Sequence, residues 1–356
     1  MKKIGVAIIG CGMIAGSHAD ALLADGRAEI RAAAYGTNVQ KGENFAKKYN
    51  VPKIVGDYHE LLNDPEIDMI CLCTPSGIHG ECAIDFARAG KHILCEKPLD
   101  ISSDVMTAMI DEAERANVKL GCVFPNRTIP GLNRAKKILD SGELGAMKIV
   151  EFQYRGYRSH SYYTSSKWKG TRKYDGGGCL MNQGIHGIDA MLYLTGDVAR
   201  VCAQVGALGR DIEVEDTASA IMQLKNGAQG TLMGTTLSYM PESAPEGDRM
   251  RIECEKGSIL YSEGKTYLYR SLNDEDFDVQ ITSLDDENTQ AVDSGSTPEN
   301  INMEGHTTIV SDFITAVIED KQVLIPARSA RRGVDLVLAI YESAEKGAWV
   351  DVNYGE

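Results

Sequence analysis

An apolar run that ends in closely spaced glycines and turns straight into a helix pattern admits few folds, and this chain opens on one. Ile4-Gly5-Val6-Ala7-Ile8-Ile9 reads as a buried strand, Gly10-Cys11-Gly12-Met13-Ile14-Ala15 as a tight turn, and Ser17-His18-Ala19-Asp20-Ala21-Leu22-Leu23 as the start of a helix. Gly10 permits the turn and Gly12 lets the main chain approach a pyrophosphate. The small Ala15 allows the helix to pack close on the strand, with its N-terminus facing the anion. This context predicts a dinucleotide site with Gly10, Gly12, Met13 and Ile14 at the cofactor.

The pattern continues as alternating units. Apolar runs at 4–9, 29–34, 67–73, 92–94 and 118–122 are separated by helix-like spacing over 39–49, 80–89 and 104–116, with Ser102-Ser103-Asp104 supplying capping residues. Such alternation predicts an α/β domain with a doubly wound parallel sheet, a Rossmann domain over 1–125. A chain of 356 residues exceeds one typical core, so a second domain is expected over 126–356.

In that second part a helix reads over 132–139, a turn over 141–145 and an alternating strand over 148–154. Further strands are expected over 198–207, 218–224, 228–236, 250–254 and 258–262, and helices over 306–318 and 329–346. Asn226-Gly227 and Lys256-Gly257 each join two strand-like runs, which favours a large, open, mostly antiparallel sheet. The stretch 273–300, rich in Asp, Glu, Ser, Thr and Asn, reads as a solvated excursion. The C-terminal helices are able to pack back on the first domain.

A formal charge of −14 opposes binding to a polyanion, so nucleic acid is excluded as an expected partner. No run approaches a membrane span, and Met1-Lys2-Lys3 leads directly into the first strand with no cleavable leader pattern; the cytoplasm is the expected location. The nine cysteines are dispersed without a paired CxxC, which predicts buried reduced thiols and no metal site.

An acidic residue at the end of the second strand would grip the adenine ribose of NAD, but the chain has Ala34-Tyr35-Gly36-Thr37-Asn38 there. Gly36, Thr37, Asn38 and Lys41 are therefore the expected ribose-side contacts. A 2′-phosphate is not repelled, which tilts the expectation toward NADP while leaving NAD open. Cys73-Thr74-Pro75 and Cys95-Glu96-Lys97-Pro98 follow later parallel strands at the C-terminal sheet edge, where open α/β folds bind ligands. Thr74, Pro75, His79, Glu96 and Lys97 are the candidates there, with a surface position for His79 equally open. Pro98 restricts the main chain of Lys97.

The ordered set of Gly-x-Gly-x-x-Ala, Thr74-Pro75, Glu96-Lys97-Pro98, Gly176-Gly177-Gly178, and His186 with Asp189 resembles the Gfo/Idh/MocA family, which includes glucose-fructose oxidoreductase and inositol dehydrogenases. The resemblance spans essentially the whole chain, including 336–349, similar to the family's closing helix. It implies hydride transfer between a nicotinamide and a carbon bearing a sugar, glycoside or cyclitol hydroxyl. Lys97 matches the family's catalytic lysine and His186 its catalytic histidine. A neutral imidazole is a suitable base near pH 7, and an ammonium holds the substrate oxygen as alkoxide develops.

Asn182 stands where the family commonly has aspartate, which removes one base and leaves an amide able to donate to and accept from sugar hydroxyls. On a regular helix Asn182 and His186, four residues apart, share one face. Asp189 orients that helix or caps a neighbour. Trp168 and Lys169 match a family position near the cofactor, Arg127, which follows the last Rossmann strand, is a further expected cofactor contact, and His306 falls where the family often has a site-proximal tyrosine.

Among the clustered Tyr154, Tyr157, Tyr162, Tyr163 and Tyr174, flat amphipathic rings suit sugar faces, and Tyr154 and Tyr163 are the substrate candidates beside Lys97, Trp168, Asn182 and His186. The family's open sheet frequently forms a subunit interface, so a homodimer or homotetramer is expected. Two other readings stay open: oxidation of a glycoside at C3 with a tightly held cofactor, enabling β-elimination, and a non-catalytic sugar or dinucleotide sensor.

Overall fold

The computed structural model describes residues 3–239, 249–262, 264–271, 279–286 and 303–355. The chain divides into two compact units: one holds Met1–Phe124, Met303–Arg331 and Gly355, the other Pro125–Asn302 and Arg332–Tyr354.

The first unit runs β1 (Ile4–Ile9), α1 (Met13–Asp25), β2 (Ala28–Ala34), α2 (Val39–Tyr49), β3 (Lys53–Val55), β4 (Met69–Leu72), α3 (His79–Arg88), β5 (His92–Cys95), α4 (Ser103–Arg115) and β6 (Leu120–Cys122). The strands form one six-stranded sheet in the order β3-β2-β1-β4-β5-β6, every pair parallel. Central strands covered on both faces must be apolar throughout, and β4 is buried at all four positions. The short β3, absent from the sequence reading, extends the sheet beside β2.

Strand order reverses between β1 and β4, so the chain leaves these neighbours toward opposite faces and a crevice opens at their C-terminal ends. Register then fixes what lines that edge. Ile9 pairs with Ala34 and Leu72, Leu72 with Cys95, and Cys95 with Cys122. The residues next in line, Gly10, Tyr35, Cys73 and Glu96, therefore emerge side by side.

The second unit contains α5 (Pro130–Ser141), β7 (Met147–Arg155), α6 (His160–Thr164), α7 (Ile185–Thr195), β8 (Val198–Gly206), β9 (Thr217–Leu224), β10 (Gln229–Thr235), β11 (Arg249–Cys254), β12 (Gly257–Ser262), β13 (Lys265–Ser271) and β14 (Val279–Ser283). The chain closes with α8 (Met303–Glu319) in the first unit, α9 (Ala327–Lys346), most of which belongs to the second, and β15 (Val350–Asp351). The second sheet has nine strands in the order β14-β13-β12-β11-β7-β10-β9-β8-β15, antiparallel except where β10 runs parallel to β7.

Both expected hairpins form, with Asn226-Gly227 joining β9 to β10 and the Lys256-Gly257 turn joining β11 to β12. On β9 and β10 buried and exposed positions alternate, so one face is covered and the other open. The solvated excursion expected over 273–300 needs correction in part. Residues 279–283 form the edge strand β14, where Ile281 pairs with Tyr269 of β13, while 273–278 and 287–300 lie outside the described residues. Four of the five β14 residues are exposed, so no alternation marked it as a strand.

All nine cysteines are free thiols and seven are buried. No helix among the described residues is long and apolar enough to cross a membrane.

Candidate active site

At the first turn of the first unit, Gly10 adopts φ +98°, and a Cβ there would lie 2.6 Å from the Cys73 carbonyl oxygen, so close strand packing and the left-handed turn both require glycine. Gly12 is the N-cap of α1 and has open space where a Cβ would be. No side chain caps α1 and no acidic residue occupies its first turn, so its leading N–H groups are left for an anion. Met13 is exposed and Ile14 half-buried beside it. An open approach at Gly12 over uncapped amides fits a dinucleotide pyrophosphate.

Beyond β2, Gly36 takes φ +65° and Thr37 and Lys41 are exposed. Asn38 is partly committed: its side-chain oxygen caps α2 by accepting the Lys41 N–H at 3.1 Å. Beyond β4, the Thr74 hydroxyl is buried with no partner among the described residues, a polar atom at the ligand edge awaiting one. Pro75 precedes a single helical turn, Ser76–Ile78. The His79 imidazole is 1% exposed and turned away from solvent: Nδ1 lies 2.9 Å from the Pro98 carbonyl oxygen and Nε2 2.9 Å from that of Thr74. The surface position left open for His79 is thereby corrected, since both ring nitrogens engage the main chain.

Beyond β5, Glu96 is also buried. His18 Nε2 reaches its Oε1 at 2.7 Å, His306 Nε2 approaches the same oxygen at 3.6 Å, and the Lys97 amide donates to Oε2 at 3.3 Å. Burial pushes the Glu96 carboxyl up, but His18 and His306 outweigh it and hold the group well below the usual carboxylate range. Lys97 is half-buried and its bond to Pro98 is cis.

In the second unit the triple glycine has a steric cause at each position. Gly176 takes φ +75°, a Cβ on Gly177 would meet the Tyr341 hydroxyl at 2.1 Å, and one on Gly178 would meet the Glu215 carbonyl oxygen at 1.7 Å. The Glu215 carboxylate accepts Gly178 N–H at 2.8 Å, Leu180 N–H at 2.9 Å and the Tyr341 hydroxyl at 2.9 Å. It thereby caps a π-helical turn, Cys179–Gly184, that leads into α7. Burial raises the pKa of Glu215 and these donors moderate the rise.

Asn182 and His186 do not lie on one regular α-helix, as the four-residue spacing assumed. Asn182 is in the wider π turn and His186 in the first turn of α7, both half-buried. The amide of Asn182 donates to Asp175 Oδ1 at 2.5 Å, and Asp175 Oδ2 accepts the Gly170 N–H at 2.8 Å. On the same turn Gln183 donates to the Tyr162 hydroxyl at 3.2 Å, while its own side-chain oxygen is buried with no partner among the described residues. The Lys169 ammonium stands 3.9 Å from the Tyr162 ring centroid, next to the half-buried Trp168.

Trp168, Lys169, Asn182 and their partners thus form one neighbourhood. Tyr162, one of the clustered tyrosines but not one of the two chosen, belongs to it; Asp175, Gln183, Glu215 and Tyr341 are members that sequence reading missed, and of these Asp175 had a local signal, directly before the glycines. The two tyrosines chosen from sequence are core residues instead. Tyr154 is 3% and Tyr163 5% exposed, and the Tyr163 hydroxyl contacts that of Thr236 at 3.1 Å, its pKa pushed by burial to about 12. Tyr157 packs against Tyr239 with the rings tilted, and Tyr174 lies beneath Lys173. Arg127, expected at the cofactor, forms a buried two-pronged ion pair with Asp189, Nε to Oδ2 at 2.7 Å and Nη2 to Oδ1 at 2.6 Å. No group of three or more His, Cys, Asp or Glu among the described residues could hold a metal.

Residues 4–124 match the profile described as oxidoreductase family, NAD-binding Rossmann fold, and residues 132–260 match the GFO/IDH/MocA C-terminal domain. The chain is 25% identical to levoglucosan dehydrogenase of Pseudarthrobacter phenanthrenivorans across 99% of both chains. It is 26% identical to trans-1,2-dihydrobenzene-1,2-diol dehydrogenase of Mus musculus over 67% of this chain and 70% of that one. The structure of the WlbA dehydrogenase from Bordetella pertussis, in complex with NADH and UDP-GlcNAcA, superposes with a TM-score of 0.82 at 26% identity and covers 99% of both chains. An N-terminal glycine turn on a parallel sheet, followed by a domain on an open mixed sheet, is matched in both halves, and the chain belongs to the Gfo/Idh/MocA family of NAD-binding oxidoreductases.

Proposed function

We propose that the protein is an NAD(P)-dependent dehydrogenase that moves a hydride between the nicotinamide and a secondary hydroxyl or ketone of a sugar, glycoside or cyclitol. The observation that carries this reading is the register of the first sheet, which brings the Gly10–Gly12 turn and the Glu96-Lys97 segment out at one edge, separated by a single strand. Relatives named as levoglucosan dehydrogenase and a structure holding NADH with a nucleotide sugar support the substrate class.

The uncapped start of α1 with Gly10, Gly12, Met13 and Ile14 would hold the pyrophosphate, residues 36–38 with Lys41 the adenosine ribose, and Thr74 with Pro75 the ribose beyond. When bound, the nicotinamide accepts or returns the hydride. Lys97 holds the substrate oxygen and stabilises its negative charge. His186 takes the hydroxyl proton in oxidation and returns it in reduction. Asn182, oriented by Asp175, binds a neighbouring hydroxyl. Trp168, Lys169 and Tyr162 supply a flat cationic and aromatic wall for a sugar ring.

NAD and NADP both fit the end of β2, which lacks a carboxylate over residues 34–38. Exposed Ile149 and Ile221 on the open sheet face, 47% and 51% exposed, support a homo-oligomer formed through that face. A cytoplasmic site of action agrees with reduced buried thiols.

Hexoses, inositols, sugar acids and glycosides, each incubated with NAD and with NADP while reduced nicotinamide is monitored by absorbance, test the reading. Turnover of at least one polyol with added cofactor is expected. Turnover that needs no added cofactor supports transient C3 oxidation instead, and cofactor binding with no turnover of any polyol supports a sensor.

A further inference from the structure

Three imidazoles surround the main chain at Lys97, and none has a chemical role in the reading above. His18 comes from α1, His79 from the start of α3 and His306 from α8; they are 0%, 1% and 5% exposed. His18 and His306 converge on one oxygen of Glu96, and the other oxygen accepts the Lys97 N–H. On the far side of Lys97, His79 takes the Pro98 carbonyl and ties it to the Thr74 carbonyl. Lys97 therefore sits between two neighbours that are each anchored to other elements.

We propose that His18, His79 and His306 form a clamp that positions Lys97, fixing the root of its side chain from both directions. The inference rests on Lys97 being the catalytic cation. Apolar side chains of similar volume would fill these buried places without polar groups to satisfy, so stability alone does not call for three imidazoles. An imidazole has a short rigid stem and a donor at a fixed distance, which is what anchoring a loop requires. His79 faces two carbonyl oxygens, one at each ring nitrogen, and so ties the segment after Lys97 to the segment after β4. The low carboxyl pKa of Glu96 keeps it an acceptor for all its donors.

His306 is the member to perturb, because it lies on α8 and not on α1, whose start would face the pyrophosphate. His306→Leu fills the space without a donor; His306→Gln restores an N–H that can reach Glu96. Two readouts are followed in the full-length protein: the rate at which an amine-reactive ester labels Lys97 relative to exposed Lys41, by mass spectrometry, and steady-state turnover of the best polyol substrate. In His306→Leu the relative labelling of Lys97 should change at least about threefold and kcat should fall about 10- to 100-fold with KM little altered, the scale of a misplaced catalytic group. His306→Gln should restore both. If His306→Leu does not fold, His306→Asn, whose amide is too short to reach Glu96, takes its place with the same expectation.

Unchanged labelling, unchanged kcat, or equal damage from Leu and Gln overturns the clamp. Full turnover by Lys97→Met overturns the catalytic reading itself, and with it any purpose for the clamp; changed labelling rescued by Gln would still show the anchoring.

Discussion

Replacing Asp189 with leucine should destabilise the second unit sharply, because the Arg127 guanidinium would lose a carboxylate that meets it at 2.7 and 2.6 Å, between side chains 7% and 1% exposed. Burial raises the Asp189 carboxyl pKa and Arg127 pulls it only part of the way back, so in the balance of the two the cost of desolvation is the larger. Deleting one partner removes the attraction and leaves the other's desolvation, a loss of about 3–5 kcal/mol. The Tyr193 ring, 5.4 Å from the guanidinium carbon, offsets only about 0.5–1 kcal/mol of that. Arg127→Met combined with Asp189→Leu removes both charges and should return to within about 1 kcal/mol of wild type.

Urea unfolding followed by tryptophan fluorescence measures this, since the only two tryptophans, Trp168 and Trp349, both belong to the second unit. His186 lies one helical turn before Asp189 on α7, so turnover should fall with stability in the single variant. A single-variant loss under about 1 kcal/mol, or a double variant as damaged as the sum of the singles, would refute the balance described.

Three further outcomes are expected. Gly12→Ala meets no neighbouring atom and has an ordinary φ of −80°, so thermal stability should hold while titration calorimetry shows weaker cofactor binding; equal affinity would remove Gly12 from the pyrophosphate site. Gly178→Ala, with its Cβ 1.7 Å from the Glu215 carbonyl oxygen, should lower stability by about 1–3 kcal/mol or more, and a wild-type melting temperature would contradict that packing. Because the Glu96 carboxyl is held well below its ordinary 4.5, its stabilisation is complete above that value and is lost as pH falls through the folded-state value; Glu96→Gln should flatten the circular-dichroism acid titration in that window, and an unchanged curve would place the acid sensitivity elsewhere.

The first unit was legible because its strands are buried on both faces and leave continuous apolar runs, and because Gly10 answers a steric demand that any such turn makes. In the second unit the hairpin glycines and alternating strands carried the same information. The exposed edge strand β14 carried none, since a strand with little burial has no pattern to show. At the site, residue types at the sheet edge were readable but their directions were not. His79 turns onto two carbonyls, and Tyr163 spends its hydroxyl on Thr236. Glu215 holds the triple glycine from 37 positions along the chain, a separation no local motif records. The π turn escaped because its sequence, Cys179–Gly184, is compatible with an ordinary helix; it is set by the Glu215 cap, which lies outside the segment.

Lys97→Met, assayed for turnover and for cofactor dissociation constant in the same preparation, tests the central claim most directly. The account predicts cofactor affinity close to wild type and turnover lower by at least about 100-fold, the scale of lost proton-transfer and charge assistance. Turnover equal to wild type would contradict it, because the cation at the edge of the first sheet would then have no part in the chemistry.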